Sequence, residues 1–156
     1  MEKTVREDNA AANAIFEHVV KYMDKLETSE ISKLLNVIDF LPCADNALKA
    51  LNESMKKHII NAKSDPNADN YHWVVWSLRN IGLEESALEA ANHAEALGIK
   101  DGEIYQQKAF ALSYLERPED LISFVDTAIE ENIIDEYGDI LFASAWANKE
   151  LNNPRL

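Results

Sequence analysis

From residue 71 onward the sequence resembles itself at a shift of 34 residues, and this repetition constrains the fold more than any other feature. The residues that match across one shift are Tyr71 and Tyr105, Leu78 and Leu112, Glu85 and Glu119, Leu88 and Ile122, Ala94 and Ala128, Ile99 and Ile133, and Asp101 and Asp135. A third, incomplete copy follows, in which Ala109 matches Ala143 and Leu112 matches Trp146. Repetition at this period is typical of stacked helical hairpins, because each hairpin buries its apolar face only against its neighbours.

Apolar residues at helical spacing predict about eight helices and no sheet. In the repeating part the predicted helices cover residues 69–81, 83–97, 102–115, 118–132 and about 136–151. Ahead of it they cover about 5–26, then a helix capped by Thr28 or Ser29 and stopped by Pro42, and then about 44–62. Pro118 suits a first helical turn, and Asp101 and Asp135 suit helix caps. With four Gly and four Pro among 156 residues, the chain is expected to be all-α.

The length fits one domain, residues 1–156, with a substantial core. Residues 1–62 are predicted to form an N-terminal helical arm, in which residues 30–62 are a candidate for a divergent earlier hairpin. Residues 63–70 are predicted to connect this arm to the repeats, which cover residues 71–151.

The connector contains the pattern Asp-x-Asn-x-Asp between Asp65 and Asp69, a spacing that opens calcium-binding loops. Such a loop continues with Gly at its sixth position and Glu at its twelfth, where this chain has Asn70 and Trp76. Pro66 also lies where the loop would have to curl. We therefore interpret the stretch as a hinge with a helix cap at Asp69 or Asn70, and expect no metal there.

Residues 69–151 resemble the tetratricopeptide repeat family in their period and in the residue types at matching positions. Tyr71 and Tyr105 fill the aromatic position of the first helix, and Gly82 fits the turn. The small positions are filled by Ala87, Ala94, Ala109, Ala128 and Ala143. The chain departs from the family pattern at Val75, Ile99, Glu116, Leu121 and Ile133. The resemblance implies antiparallel hairpins stacked as a short right-handed superhelix.

The net charge of −13 is concentrated in residues 84–139, which hold 15 acidic residues and three basic ones. An acidic surface repels phosphate backbones and anionic lipid, so we expect neither nucleic acid nor a membrane as partner, whereas a basic protein segment fits. The single Cys43 has no internal disulfide partner, and no apolar run is long enough to span a bilayer. These features predict a cytoplasmic location.

No arrangement of residues points to catalysis. The four histidines, at positions 18, 58, 72 and 93, lie in separate predicted helices without a paired ligand spacing. Adjacent carboxylates such as Glu84 and Glu85 diverge around a helix instead of converging. We expect no enzymatic activity, no cofactor and no metal.

The resemblance to the tetratricopeptide repeat family also implies a concave groove, lined by the first helix of each unit. Carried over position by position, this groove comprises His72, Trp76, Arg79, Asn80, Gln106, Phe110, Ser113, Tyr114, Tyr137 and Ile140. Its four aromatic residues would anchor a peptide, although Trp76 and Phe110 are equally well explained by packing between helices.

These residues predict a protein-interaction module, a cytoplasmic adaptor or chaperone that holds a client segment in the groove. The helical arm ahead of about three units is similar in architecture to bacterial secretion chaperones built on this repeat. An acidic inhibitor or nucleic-acid mimic that blocks a basic site on a partner enzyme is the alternative. Apolar residues of the arm either cap the stack or form a homodimer interface; they are Phe16, Val19, Val20, Met23, Leu34, Leu35 and Ile38.

Overall fold

The structure is a computed structural model that describes residues 9–133 and 138–152. These residues form eight α-helices and one short 3₁₀ helix, and no strand occurs among them. The helices are α1 Ala10–Lys21, α2 Thr28–Asn36, α3 Asn46–Ser64, α4 Ala68–Asn80, α5 Glu84–Ala96, α6 Gly102–Tyr114, α7 Pro118–Glu130 and α8 Asp139–Asn152, with the 3₁₀ helix Val37–Phe40 after α2. The predicted all-α class and the predicted number of helices are confirmed. No helix in the described ranges combines the length and the apolar character that a membrane span requires.

Two predicted helix caps are wrong by one to three positions. Helix α2 begins at Thr28, because the side chains of Glu27 and Glu30 each accept a hydrogen bond from the other residue's backbone N–H. Helix α4 is capped by Asn67, whose side-chain oxygen accepts from the backbone N–H of Asn70 at 2.9 Å. Asp69 and Asn70 therefore lie inside α4, and the link between α3 and α4 is residues 65–67, against the predicted 63–70.

Other helix starts agree with the sequence. Asp101 caps α6 by accepting from the backbone N–H of Ile104 at 3.1 Å, and Pro118 occupies the first turn of α7. Asp45 caps α3 in the same way, with its carboxylate 2.8 Å from the N–H of Ala47. Asp135 lies outside the described residues.

The 3₁₀ helix is held against α3 by a lysine. Lys56 is 7% exposed, and its Nζ contacts Asp39 Oδ1 at 2.6 Å and Glu53 Oε1 at 2.9 Å. The Lys56 ammonium lowers the pKa of the Asp39 carboxyl by donating to it. This contact holds the 3₁₀ helix against α3. Helix α2 ends at Asn36, earlier than the predicted end at Pro42.

Helices α4 to α7 have the same length, 13 residues each, and the two pairs α4–α5 and α6–α7 begin 34 residues apart. All four helices end with a residue of positive φ followed by a backbone hydrogen bond that spans five residues. The four residues of positive φ are Gly82, Gly98, Glu116 and Asn132. The four bonds join Leu83 N to Leu78 O, Ile99 N to Ala94 O, Arg117 N to Leu112 O and Ile133 N to Ala128 O. The superhelical arrangement and the family resemblance stay predictions.

The helices pack in chain order from α3 to α8, and α6 additionally contacts both α4 and α8. Short links, residues 81–83 and 115–117, make the neighbours within each pair antiparallel. Helices α4 and α6 run in the same direction, because His72 lies near Glu103 while Arg79 contacts Gln107 and Phe110 further along both helices. Helices α4, α6 and α8 therefore form one layer.

The N-terminal helices fold back on the rest of the chain, with α1 against α5 and α3 against α4. Their apolar side chains are buried in the chain's own core, with Phe16, Val19, Val20 and Leu35 fully covered. A homodimer through this part of the chain stays a prediction, but its contacts would come from exposed apolar side chains such as Val37, Phe40 and Leu51 instead of these buried ones.

Candidate partner-binding site

Helix α4 buries one face and exposes two large aromatic side chains on another. Tyr71, Val74, Val75 and Leu78 point into the core, whereas Trp73 is 40% and Trp76 is 43% exposed. The two indole rings meet edge to face, with centroids 5.6 Å apart. Trp76 is thus a surface residue, as the groove prediction requires.

Imidazole rings extend this aromatic surface toward α3. His58 of α3 stacks on Trp73 at 5.7 Å, and His72 contacts the edge of the same ring at 5.5 Å. Burial lowers the pKa of His58, and the charge of the neighbouring Lys57 lowers it further. The sequence-based prediction included His72 but missed Trp73 and His58. Their spacing gave no signal, because the family pattern assigns neither position to the groove.

Arg79 has structural contacts on three sides. Its guanidinium donates to Glu84 Oε2 at 3.2 Å and to Gln107 Oε1 at 2.7 Å, and its carbon Cζ lies 5.1 Å from the centre of the Phe110 ring. Burial raises the pKa of Glu84, while Arg79 opposes this shift. Asn80 donates its amide to the backbone oxygen of Trp76 at 2.9 Å. These contacts leave Arg79 and Asn80 less free to bind a partner than predicted.

An apolar cleft of about 420 Å³ lies between α6 and α8. Phe110 and Ser113 line it from α6, and Phe142, Trp146 and Lys149 are among its residues from α8. Phe142 is 75% exposed, an unusual position for a phenylalanine on a soluble surface. We call Trp73, Trp76, Phe110, Phe142 and Trp146 together the aromatic face; it crosses the layer of α4, α6 and α8.

Several predicted groove residues lie elsewhere or have other contacts. Ile140 is only 3% exposed, so its placement in the groove is wrong, because α8 turns this side chain into the core beside Ala143. Gln106 donates to Asp139 Oδ2 at 2.6 Å and so links α6 to α8. Tyr137 lies outside the described residues.

Tyr114 is 73% exposed but does not line the α6–α8 cleft. It borders a separate cleft of about 450 Å³ together with the turn after α4, the start of α5, and Glu17 and Lys21 of α1. The sequence predicted Tyr114 in the groove together with Phe110, whereas the structure places it at this second cleft. Tertiary packing decides which surface an exposed side chain joins.

Phe142 and Trp146 are two further residues of this site that sequence reasoning missed. They lie four residues apart, so they share one side of α8. The sequence-based groove assignment took positions 137 and 140 from this part of the chain instead.

Comparison with protein-family models, with curated proteins and with solved structures found no match to this chain. Within the described ranges, no three His, Cys, Asp or Glu side chains lie close enough together to hold a metal ion. The site is therefore interpreted from its own chemistry, which is that of an apolar, aromatic contact surface.

Proposed function

We propose that this chain is a protein-interaction module of the tetratricopeptide type, working as a cytoplasmic adaptor or chaperone that holds a client segment against the aromatic face. The observation that carries the proposal is the exposure of Phe142 beside an open apolar cleft, together with the exposure of Trp73 and Trp76 on α4. Exposed aromatic side chains that border a cleft are typical of binding hot spots, because a partner removes their large apolar area from water.

The client is a segment with apolar anchor residues and a positively charged flank. Phe110, Phe142 and Trp146 supply the apolar contact. Glu103, whose side chain is 66% exposed, and Asp139 lie at the N-terminal ends of α6 and α8. Together with the net charge of −13, these carboxylates favour a basic client over an acidic one.

A photoactivatable residue at position 142, compared with one at position 129, tests the proposal in cells of the native host. Ile129 is also an exposed apolar residue, 58% accessible, but it lies on α7 outside the aromatic face. We expect a discrete crosslinked protein from position 142 alone. Equal crosslinking from both positions, or none from position 142, contradicts the proposal.

With the client identified, calorimetry measures the contribution of the face. Phe142→Ala and Trp76→Ala are each expected to weaken binding at least about tenfold, because truncating an aromatic anchor at a hot spot commonly costs about 2 kcal/mol. Ile129→Ala is the matched control and should change affinity by less than about twofold.

The acidic-mimic alternative is favoured by a different observation, the exposed carboxylates Glu119, Asp120, Asp126 and Glu130 along α7. It predicts the opposite ranking, with charge reversals dominant and Phe142→Ala nearly neutral. Raising sodium chloride from about 0.05 M to about 0.5 M should abolish mimicry through carboxylates but leave most of the aromatic contact.

A further inference from the structure

In the second helical pair, a glutamate joins the start of α6 to the end of α7. Glu131 accepts a hydrogen bond from the Tyr105 hydroxyl at 3.2 Å through Oε2, and Lys100 Nζ contacts its Oε1 at 3.0 Å. Tyr105 is 3% exposed, so the carboxylate satisfies a hydroxyl that the fold has removed from bulk water.

The first pair has the same tyrosine without the carboxylate. The residues 34 positions before Lys100, Tyr105 and Glu131 are Pro66, Tyr71 and Leu97. All three line a cleft of about 220 Å³. Tyr71 is also 3% exposed, and its hydroxyl has no hydrogen bond to any residue that the structure describes. The hydroxyl is not among the atoms sealed from solvent, so it is accessible from the cleft.

A lysine side chain lines the same cleft. Lys63 lines it, and its Nζ donates to the backbone oxygen of Met23 at 2.8 Å, which uses one of its three N–H groups. His93 forms part of the wall with its Nε2 2.9 Å from the backbone oxygen of Val20, and since a carbonyl only accepts, Nε2 carries the hydrogen. The remaining lining residues are mainly apolar: Met23, Ala62, Pro66, Ala96 and Leu97.

Asp24 also lines the cleft and opposes an anion there. When Lys63 and Tyr71 hold a ligand carboxylate, Asp24 is the one lining residue whose negative charge repels it. A second negative charge on the ligand would find no second Lys or Arg among the lining side chains, so the cleft favours a monoanion over a dianion.

We propose that this cleft binds an aliphatic monocarboxylate, whose carboxylate accepts from Tyr71 and Lys63 in the place that Glu131 takes in the second pair. The apolar lining contacts the aliphatic stem, and the volume limits the stem to a short one. A free organic acid and a glutamate side chain of a partner protein present the same chemistry. This site lies at the ends of α3 and α5, apart from the aromatic face, and is independent of the function proposed for that face.

Nuclear magnetic resonance titration at neutral pH tests the site, with the amide signals of Ala96 and Leu97 as reporters. Sodium butyrate should shift them saturably, and butyramide, its neutral isostere, should bind at least about tenfold more weakly. A capped Ala-Glu-Ala peptide separates the two sources: tighter binding than butyrate indicates a side chain, and weaker binding indicates a free acid. Absence of saturable binding by both carboxylates, or equal binding of butyramide, overturns the proposal.

Matched variants identify the groups that hold the carboxylate. Tyr71→Phe and Lys63→Met should each weaken butyrate binding at least about fivefold, because each removes a hydrogen bond to a charged group. Tyr105→Phe removes the same hydroxyl from the second pair and should leave butyrate binding unchanged. Asp24→Asn should strengthen binding.

Substitution of the exposed Leu97 decides the proposal even where Tyr71→Phe disturbs folding. Leu97→Glu supplies a carboxylate from the chain itself, at the position that corresponds to Glu131. It should raise the thermal midpoint and weaken butyrate binding at least about tenfold, whereas Leu97→Gln should do neither. Unchanged butyrate affinity in Leu97→Glu shows that the carboxylate does not bind between Tyr71 and Lys63.

Discussion

At the scale of single residues, Glu116 adopts a backbone conformation that Gly82 adopts at the corresponding position of the first pair. Its φ is 54°, against 81° for Gly82, in the left-handed region where a side chain costs about 1 kcal/mol. The conformation persists because it lets the backbone N–H of Arg117 reach Leu112 O at 3.0 Å and end α6. Glu116 therefore forms the same turn and the same hydrogen bond as the glycine at the corresponding position of the first pair.

We expect Glu116→Gly to raise the free energy of unfolding by up to about 1 kcal/mol, because relief of the left-handed strain exceeds the added flexibility of the unfolded chain. Urea denaturation measures this change. Glu116→Ala removes the carboxylate but keeps Cβ, so it should give little of the gain. Gly82→Ala should cost about 1 kcal/mol from φ alone, because no atom lies within 4 Å of the added Cβ. A destabilised Glu116→Gly would show that the glutamate side chain has a role of its own.

At the scale of elements, Glu131 couples two helices whose ends would otherwise be independent. The hydrogen bond from Lys100 is the main cause that holds the pKa of Glu131 below its ordinary value, and the hydrogen bond from Tyr105 adds to it. A carboxyl whose pKa is lower in the folded protein than in the unfolded chain stabilises the fold when it is ionised. This contribution is fully present above the unfolded-state pKa, and it is lost as pH falls through the folded-state pKa.

Glu131→Gln should therefore be less stable than the parent protein at neutral pH, and the difference should shrink as pH falls below about 4.5, the ordinary value for a glutamate. Urea denaturation at a series of pH values measures it. Glu130→Gln is the matched control, since Glu130 is exposed and has no ion pair with a described residue. A Glu131→Gln deficit that is independent of pH would mean that the lost contribution is packing and not charge.

At the scale of the whole molecule, negative charge dominates and is unevenly distributed. Cross-helix ion pairs such as Arg79 with Glu84 and Lys108 with Glu95 neutralise part of the acidic segment. Among the described residues of this segment, Glu89, Glu119, Asp126 and Glu130 have no ion pair with a described base. Mutual repulsion of these carboxylates opposes the compact state, and dissolved salt screens it.

Moderate salt should consequently stabilise the protein. Raising sodium chloride from about 0.02 M to about 0.3 M is expected to increase the thermal midpoint, because the Debye length falls below the spacing of surface charges. Asp126→Lys, an exposed substitution on α7, should raise the midpoint at low salt and reduce its salt dependence. Lys100→Glu is the opposite change and should do the reverse. A midpoint that falls with salt would indicate that the ion pairs outweigh the repulsion.

The features that the sequence determined by itself are those decided within a few turns of one helix. The helical class, the cap at Asp101, the first-turn position of Pro118 and the matching ends of the helices depend on residues that lie near one another in the chain. Even the misplaced caps were wrong by one to three residues only, because several polar side chains near a helix start compete for the same N–H groups.

Tertiary structure alone decided which of these side chains are available. His93 meets the backbone of Val20 across 73 residues, and Arg79 meets Gln107 across 28. Tertiary packing buries Ile140 but leaves Trp73 and Phe142 exposed. It also places Tyr71 at a cleft, whereas the hydroxyl of Tyr105 donates to Glu131. Local periodicity specifies the side of a helix on which a residue lies, but whether that side meets water or another helix depends on segments far away in the sequence.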